Sequence, residues 1–182
     1  MRTLLAVTLA VTLFLPIAAT ASEFERSEDD SAFGDLTIDY YRDVVRRYPE
    51  RLGLYCWVGY ETYKSGDFQQ AKEVFETCAE RNHAQSMIFL SQIYTDGLGV
   101  PRDPAIAARW MLRAAETGYA AAQYDYGLTL LRGDGIPCDL DAGKEWIRKA
   151  AVQGDVNARE LAAAGFDLSV IPAAERSTPS SN

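Results

Sequence analysis

The residues in this chain that could do chemistry are few: three cysteines, one histidine, scattered acids and two glycine-rich loops. Cys138 sits in one of those loops with no histidine placed to activate its thiol, so it reads as a free thiol or an intermolecular bond rather than a nucleophile. His83 stands with isolated acids only, and a metal centre needs several converging ligands. The nucleophile and metal-hydrolase patterns Gly-x-Ser-x-Gly, Ser-x-x-Lys and His-Glu-x-x-His do not occur. Asp139 and Asp141 fit a helix cap and its first turn, where negative charge meets the helix dipole. A loop that cradles phosphate needs a lysine and a hydroxyl behind its glycines, and here Val100-Pro101 and Ile136-Pro137 follow instead. The residues therefore predict no catalytic site, no metal and no cofactor.

What the loops do carry is repetition. Gly97-Leu98-Gly99-Val100-Pro101-Arg102-Asp103 is echoed by Gly133-Asp134-Gly135-Ile136-Pro137-Cys138-Asp139. Gly97 and Gly133, Trp110 and Trp146, and Gly118 and Gly154 each lie 36 residues apart. A constant pitch in that range marks stacked supersecondary units, none of which can bury its apolar face alone.

The remaining elements follow from periodicity. Ile38, Tyr41, Val44, Val45 and Tyr48 draw one helical face over 37–48, and Pro49 ends that helix or starts the next. A helix from Pro49 to about Lys64 carries Tyr55, Val58 and Gly59. After the break Ser65-Gly66-Asp67, a third helix carries Ala71, Val74, Phe75 and Cys78 and ends near Asn82. Two further helix pairs fill 83–118 and 119–154, with Asp103 as an N-cap, Pro104 in a first turn and Gly118 as a left-handed stop. A capping helix is expected at 156–165, and a polar disordered tail at 166–182.

The ends and the charge bound the setting. Arg2, the apolar run 4–17 and Ala19-Thr20-Ala21 make a secretory signal, with cleavage expected after Ala21. The run is too short for a comfortable bilayer crossing and no charged stop follows it, so no stable membrane insertion is expected after cleavage. Residues 22–36 read as a flexible acidic lead-in. The mature protein is expected to be periplasmic or secreted, where thiol pairing is chemically allowed. The net charge of −8 argues against nucleic acid, whose phosphates need a basic stripe.

Gly-x-Gly-Val-Pro-x-Asp followed by Ala107, Trp110, Ala114, Ala115, Gly118, Ala120, Ala122 and Gln123 resembles the Sel-one-like repeat, a longer-looped relative of the tetratricopeptide repeat. Residues 97–123 fit almost throughout, and 133–158 fit with Gly143 where alanine is usual. Residues 50–82 resemble an ordinary tetratricopeptide repeat, preceded by a half repeat at 37–48. The resemblance implies an all-α, right-handed α-solenoid of stacked antiparallel helix pairs, of an exported bacterial type. It implies binding of a protein or peptide, without enzymatic activity. The alternatives are an accessory subunit of an envelope complex, of the flagellar-motor or polysaccharide-export type, and, less favoured, a cell-wall hydrolase.

In such solenoids the first helix of each unit lines the concave face. The resemblance then puts Tyr60, Tyr63 and Lys64 in the groove from the first unit, Ile88, Gln92 and Thr95 from the second, and Tyr124, Leu128, Leu131 and Arg132 from the third. Aromatic and arginine anchors are enriched where binding energy concentrates. Cys56 and Cys78 fall on the neighbouring helices of the first unit, which admits a disulfide if their Cα atoms lie within about 7 Å. The repeat register sets them about one helical turn apart, which counts against the bond, and both outcomes stay open.

Overall fold

The computed structural model describes residues 38–170. The expected signal sequence, the expected acidic lead-in and the residues beyond 170 lie outside the described residues. Among those described, the chain is all helix: α1 (Ile38–Arg47), α2 (Leu52–Ser65), α3 (Phe68–Ala79), α4 (Ala84–Asp96), α5 (Pro104–Glu116), α6 (Ala120–Arg132), α7 (Leu140–Val152) and α8 (Val156–Ala163). Each helix packs chiefly on its neighbours in sequence, so the fold is a solenoid of antiparallel pairs, α2–α3, α4–α5 and α6–α7.

The boundaries follow from local chemistry. Pro49–Arg51 forms a separate 3-10 turn, and α2 starts three residues later than the sequence predicts. Arg51 N–H donates to Tyr48 O at 2.9 Å, which closes that turn before the helix begins. Asp67, Asp103, Asp139 and Asp155 each accept from the backbone N–H three residues on, satisfying donors that a helix start leaves without partners. The helix α3 stops at Ala79, short of the expected end, and Asn82 takes a positive φ of 60° in the turn that follows.

The core is built by interleaving small and large residues. Phe75, Met87, Leu90 and Ile93 pack with Ala71, Ala79, Ala114, Ala115 and Ala122 across the first two pairs and onto α6. Tyr124, Leu128, Leu131, Ile147, Ala150, Ala158 and Leu161 form a second cluster under α8. Phe166 and Leu168 pack against that cluster, and Leu168–Val170 forms a further 3-10 turn. The polar tail therefore begins later than residue 166, because these two side chains still bury apolar surface.

Val45, Tyr55, Cys56, Val74 and Cys78 make a third cluster that holds α1 on the first pair. Within it Cys56 and Cys78 form a disulfide, with Cα atoms 6.0 Å apart. The register argument against this bond fails because the close approach of α2 and α3 brings the two Cα atoms inside bonding range despite the offset.

The close approach has its cause in glycine. A Cβ at Gly59 would meet Val74 Cγ1 at 2.7 Å, and one at Gly127 would meet Ile147 Cγ1 at 2.5 Å and Gly143 O at 2.9 Å. Gly127→Ala should therefore destabilise the fold by about 1–3 kcal/mol through overpacking. Gly53→Ala meets nothing within 4 Å in α2 and should be neutral or stabilising by up to about 1 kcal/mol. Urea unfolding of the two variants checks the contrast. Cys56→Ser, measured the same way, should lose about 3 kcal/mol, the order expected for a bond closing a loop with a separation of 22 residues.

Candidate functional site

Each long loop folds back over the helix that precedes it and uses up that helix's last carbonyls. After α4, Gly97 takes the left-handed cap, Leu98 N–H donates to Ile93 O, and Asp103 N–H donates to Tyr94 O at 2.8 Å. Arg102 Nε donates to Thr95 O at 2.8 Å. The next unit repeats the arrangement: Gly133 and Asp134 N–H donate to Thr129 O, and Asp139 N–H to Leu130 O. Cys138 stands where Arg102 stands and does the same work, its Sγ 3.4 Å from Leu131 O. The free thiol is thus accounted for as a loop-closing donor.

The loops also stack on the unit before them. Gly99, at φ 68°, lies so close to α3 that a Cβ would meet Phe68 Cβ at 3.1 Å and Gln69 N at 3.3 Å. Gly135, at φ 74°, lies against the backbone of Pro104 and Ala105 at the start of α5, with no room for a side chain. These contacts fix the spacing of α4 and α6, and a cleft of about 520 Å³ opens between them over α5. Ser91 and Thr95 of α4 form one side, and Tyr124, Asp125, Leu128 and Arg132 of α6 the other. Ala107, Ala108 and Met111 of α5 form the floor, and Asp155 and Asn157 at the start of α8 close one end. Arg102, Arg132 and Asp134 gather at the loop end, where burial pushes the Asp134 carboxyl above its ordinary range while the two guanidinium groups pull it back.

A second cleft, of about 540 Å³, lies where α2 meets α4. Gly53, Trp57 and Tyr60 line it from α2, and His83, Gln85, Ser86 and Phe89 from the turn and start of α4. Trp57 is 56% exposed and Tyr60 39%. Beneath them Phe75 stacks on Phe89 with ring centroids 4.9 Å apart, and Tyr60 meets Phe89 at 5.6 Å.

The expected groove residues thus divide. Tyr60, Lys64 and Gln92 are exposed, with Lys64 Nζ 5.2 Å over the Tyr60 ring and 3.3 Å from Glu61. Thr95, Tyr124, Leu128 and Arg132 border the first cleft, although Tyr124 and Leu128 are only 5% exposed and also serve the core under α8. Three depart from the expectation. Leu131 turns away from the cleft into the seam with α7, where Gly143 leaves room for its side chain. Ile88 packs on the core cluster, and Tyr63 is wedged among Phe68, Phe75 and Phe89. Helical periodicity brings the candidates of each of α2, α4 and α6 to one strip of that helix, but the strip is wide enough that its edges face neighbouring helices.

Sequence reasoning missed Trp57, Phe89 and Met111. Trp57 lies three residues before Tyr60 on the same face, a helical spacing that was there to be read. Met111 belongs to a second helix, and only the small Ala107 and Ala108 beside it hint that those helices supply the floor.

His83 caps α4, its Nδ1 accepting from Ser86 N–H at 3.3 Å, and burial lowers its pKa. The folded state then binds the proton less readily than the unfolded chain. Stability should be full above the unfolded value of about 6.5 and should fall as pH drops through that range toward the lower folded value. Urea midpoints between neutral and mildly acidic pH check this, and His83→Asn, which keeps a capping side chain, should flatten that part of the profile.

Residues 84–119 and 120–155 match the Sel1 repeat. Among curated proteins the chain is 32% identical over 103 residues to the chitin synthase regulator SKT5 of Malassezia restricta, covering 54% of this chain and 7% of that protein. It is 31% identical over 99 residues to protein SHC1 of Saccharomyces cerevisiae, covering 50% of this chain and 19% of that one. The chain therefore spans under a fifth of the length of these relatives. Among solved structures it is similar to a Sel1 repeat protein from Oxalobacter formigenes, at a TM-score of 0.56 and 32% identity over 60% of this chain and 47% of that one. A protective antigen of uropathogenic Escherichia coli strains displaying an SLR fold gives a TM-score of 0.58 and 26% identity, over 70% of this chain and 29% of that one. Cysteine rich protein B of Helicobacter pylori shares the fold, at a TM-score of 0.54 and 18% identity, over 70% of this chain and 98% of that one.

Proposed function

We propose that this chain, whose residues 84–155 are Sel1 repeats, is an exported, non-enzymatic protein that holds a protein or peptide partner along its concave face. Sel1 repeats generally mediate protein–protein interactions, and the finer reading concerns where and how this one does so. The observation that carries it is the cleft between α4 and α6, floored by Ala107, Ala108 and Met111 and edged by polar and charged groups. An apolar floor takes side chains while a polar rim fixes register, which is how a segment of chain is held. The exposed Trp57 and Tyr60 add rigid aromatic area beside the first pair, the kind of surface that anchors partners.

Export rests on the N-terminal signal pattern and agrees with the Cys56–Cys78 bond, which an oxidising compartment would preserve. A relative named as a regulator of chitin synthase favours a part played through contact rather than through chemistry. The second reading is an accessory subunit of an envelope complex, bound through the convex face or an end of the solenoid. The apolar Val152 and Val156, 88% and 56% exposed at the α7–α8 turn, favour that reading for the C-terminal end.

The two readings separate by mutation. Thr95→Ala combined with Asp125→Ala changes two partly exposed side chains that border the cleft from α4 and from α6, and should leave helicity intact. Under the groove reading the double variant captures about tenfold less of the partner cross-linked to the wild type in native cells. Unchanged capture would move the interface to the convex face or an end.

A further inference from the structure

Aromatic rings in this chain take up its own cations. Arg113 lies 4.6 Å from the centroid of the Trp110 ring and Lys149 4.3 Å from that of Trp146, each base three residues beyond its tryptophan. Arg51 sits over Tyr48 in the same way, and Lys64 over Tyr60. Trp57 breaks the pattern. The residue three beyond it is Tyr60, so α2 offers it no base at that spacing. It lines the cleft where α2 meets α4 and is more than half exposed. Among the described residues no cation, ring or hydrogen-bond partner engages it.

The charges around it favour a positive group. Glu50 lies in the 3-10 turn before α2, exposed and without an ion pair or hydrogen bond among the described residues. Counting about 120° per residue through that turn and about 100° through α2 puts Gly53 and Trp57 each within about 20° of Glu50. The three therefore share one strip, and Gly53 adds no side chain between the carboxylate and the ring. The nearby bases are already engaged, Arg51 with Tyr48 and Lys64 with Glu61 and Tyr60. The rest of the cleft lining bears no charge near neutral pH, because burial holds His83 neutral and Cys56 is in the disulfide. The net charge of −8 draws cations from further off.

We propose that the cleft between α2 and α4 takes a lysine or arginine side chain of a protein partner, its cation laid on the Trp57 ring and drawn there by the Glu50 carboxylate. The proposal rests on the reading of the concave face as the binding face, and it adds the chemistry of what that face selects. An aromatic ring presents the negative side of its quadrupole to what lies on it, so it attracts a cation and rejects a carboxylate. The apolar stem of a long basic side chain finds Tyr60 and Phe89 alongside.

The probe is a random library of short peptides captured on the immobilised full chain at physiological ionic strength, where attraction to the overall charge is screened. Captured peptides are identified by mass spectrometry and resynthesised with each Lys or Arg in turn changed to Gln. Neutralising one of them should weaken binding about fivefold. Against Trp57→Leu, which keeps apolar bulk and net charge but removes the π face, that penalty should vanish. It should persist in part against Trp57→Phe and shrink against Glu50→Gln. Both positions are exposed, and circular dichroism checks that the variants fold. The Glu50→Gln comparison decides if Trp57→Leu does not fold. A penalty unchanged by these variants, or binders indifferent to every Lys and Arg, overturns the proposal. If such binders still lose affinity to the Thr95→Ala and Asp125→Ala pair, the groove reading survives that failure. A library that yields no binders, or binders blind to all of these substitutions, overturns both.

Discussion

At Gly135 the loop of the last full unit rests on the backbone of Pro104 and Ala105, and at Gly99 the loop before it rests on Phe68 and Gln69. Both glycines hold positive φ, so a side chain is barred twice, by conformation and by space. Everything at the concave face depends on this approach. It sets how far α6 stands from α4, and hence whether a cleft lies between them. It also explains why the loop is long: the chain must pass over the end of one helix, satisfy its carbonyls, and still reach the start of the next. The 36-residue pitch is the length of chain that does all three.

Much of this was legible beforehand. The twin loops, the two tryptophans and the closing glycines specified the pair architecture, because each does a job that few residue types can do. Capping aspartates and left-handed glycines located the helix starts and stops to within a few residues. The face of a first helix was harder. Leu131 and Ile88 share the strip that carries Thr95 and Arg132, yet they pack inward, because periodicity gives an angle around one helix and says nothing of where its neighbours stand. The same blindness misjudged Cys56 and Cys78, whose offset along the axis was read without the close approach that Gly59 allows. Met111 and the floor of the cleft lay on second helices, which the repeat scheme assigns to the outside.

The chemistry of the molecule is correspondingly spare. Cys138 and Arg102 occupy matching places and each donates to a last-turn carbonyl, so the residue that most invited a reactive reading is a structural stand-in. His83 is engaged as a cap. Among the described residues no cluster of His, Cys, Asp or Glu is placed to hold a metal, and no helix is long and apolar enough to cross a membrane. What the fold offers instead is shaped surface: a cleft with an apolar floor, the guanidinium groups of Arg102 and Arg132 at its loop end, and exposed aromatic rings on the first pair.

The central claim is that the concave face is where a partner lies. Site-specific photo-crosslinking tests it most directly, with a benzophenone side chain placed at Gln92 on α4 or at Arg148 on α7, both exposed, and activated in native cells. The account predicts one dominant protein or peptide adduct from position 92 and none from position 148. A dominant adduct from position 148 with none from position 92 would contradict it.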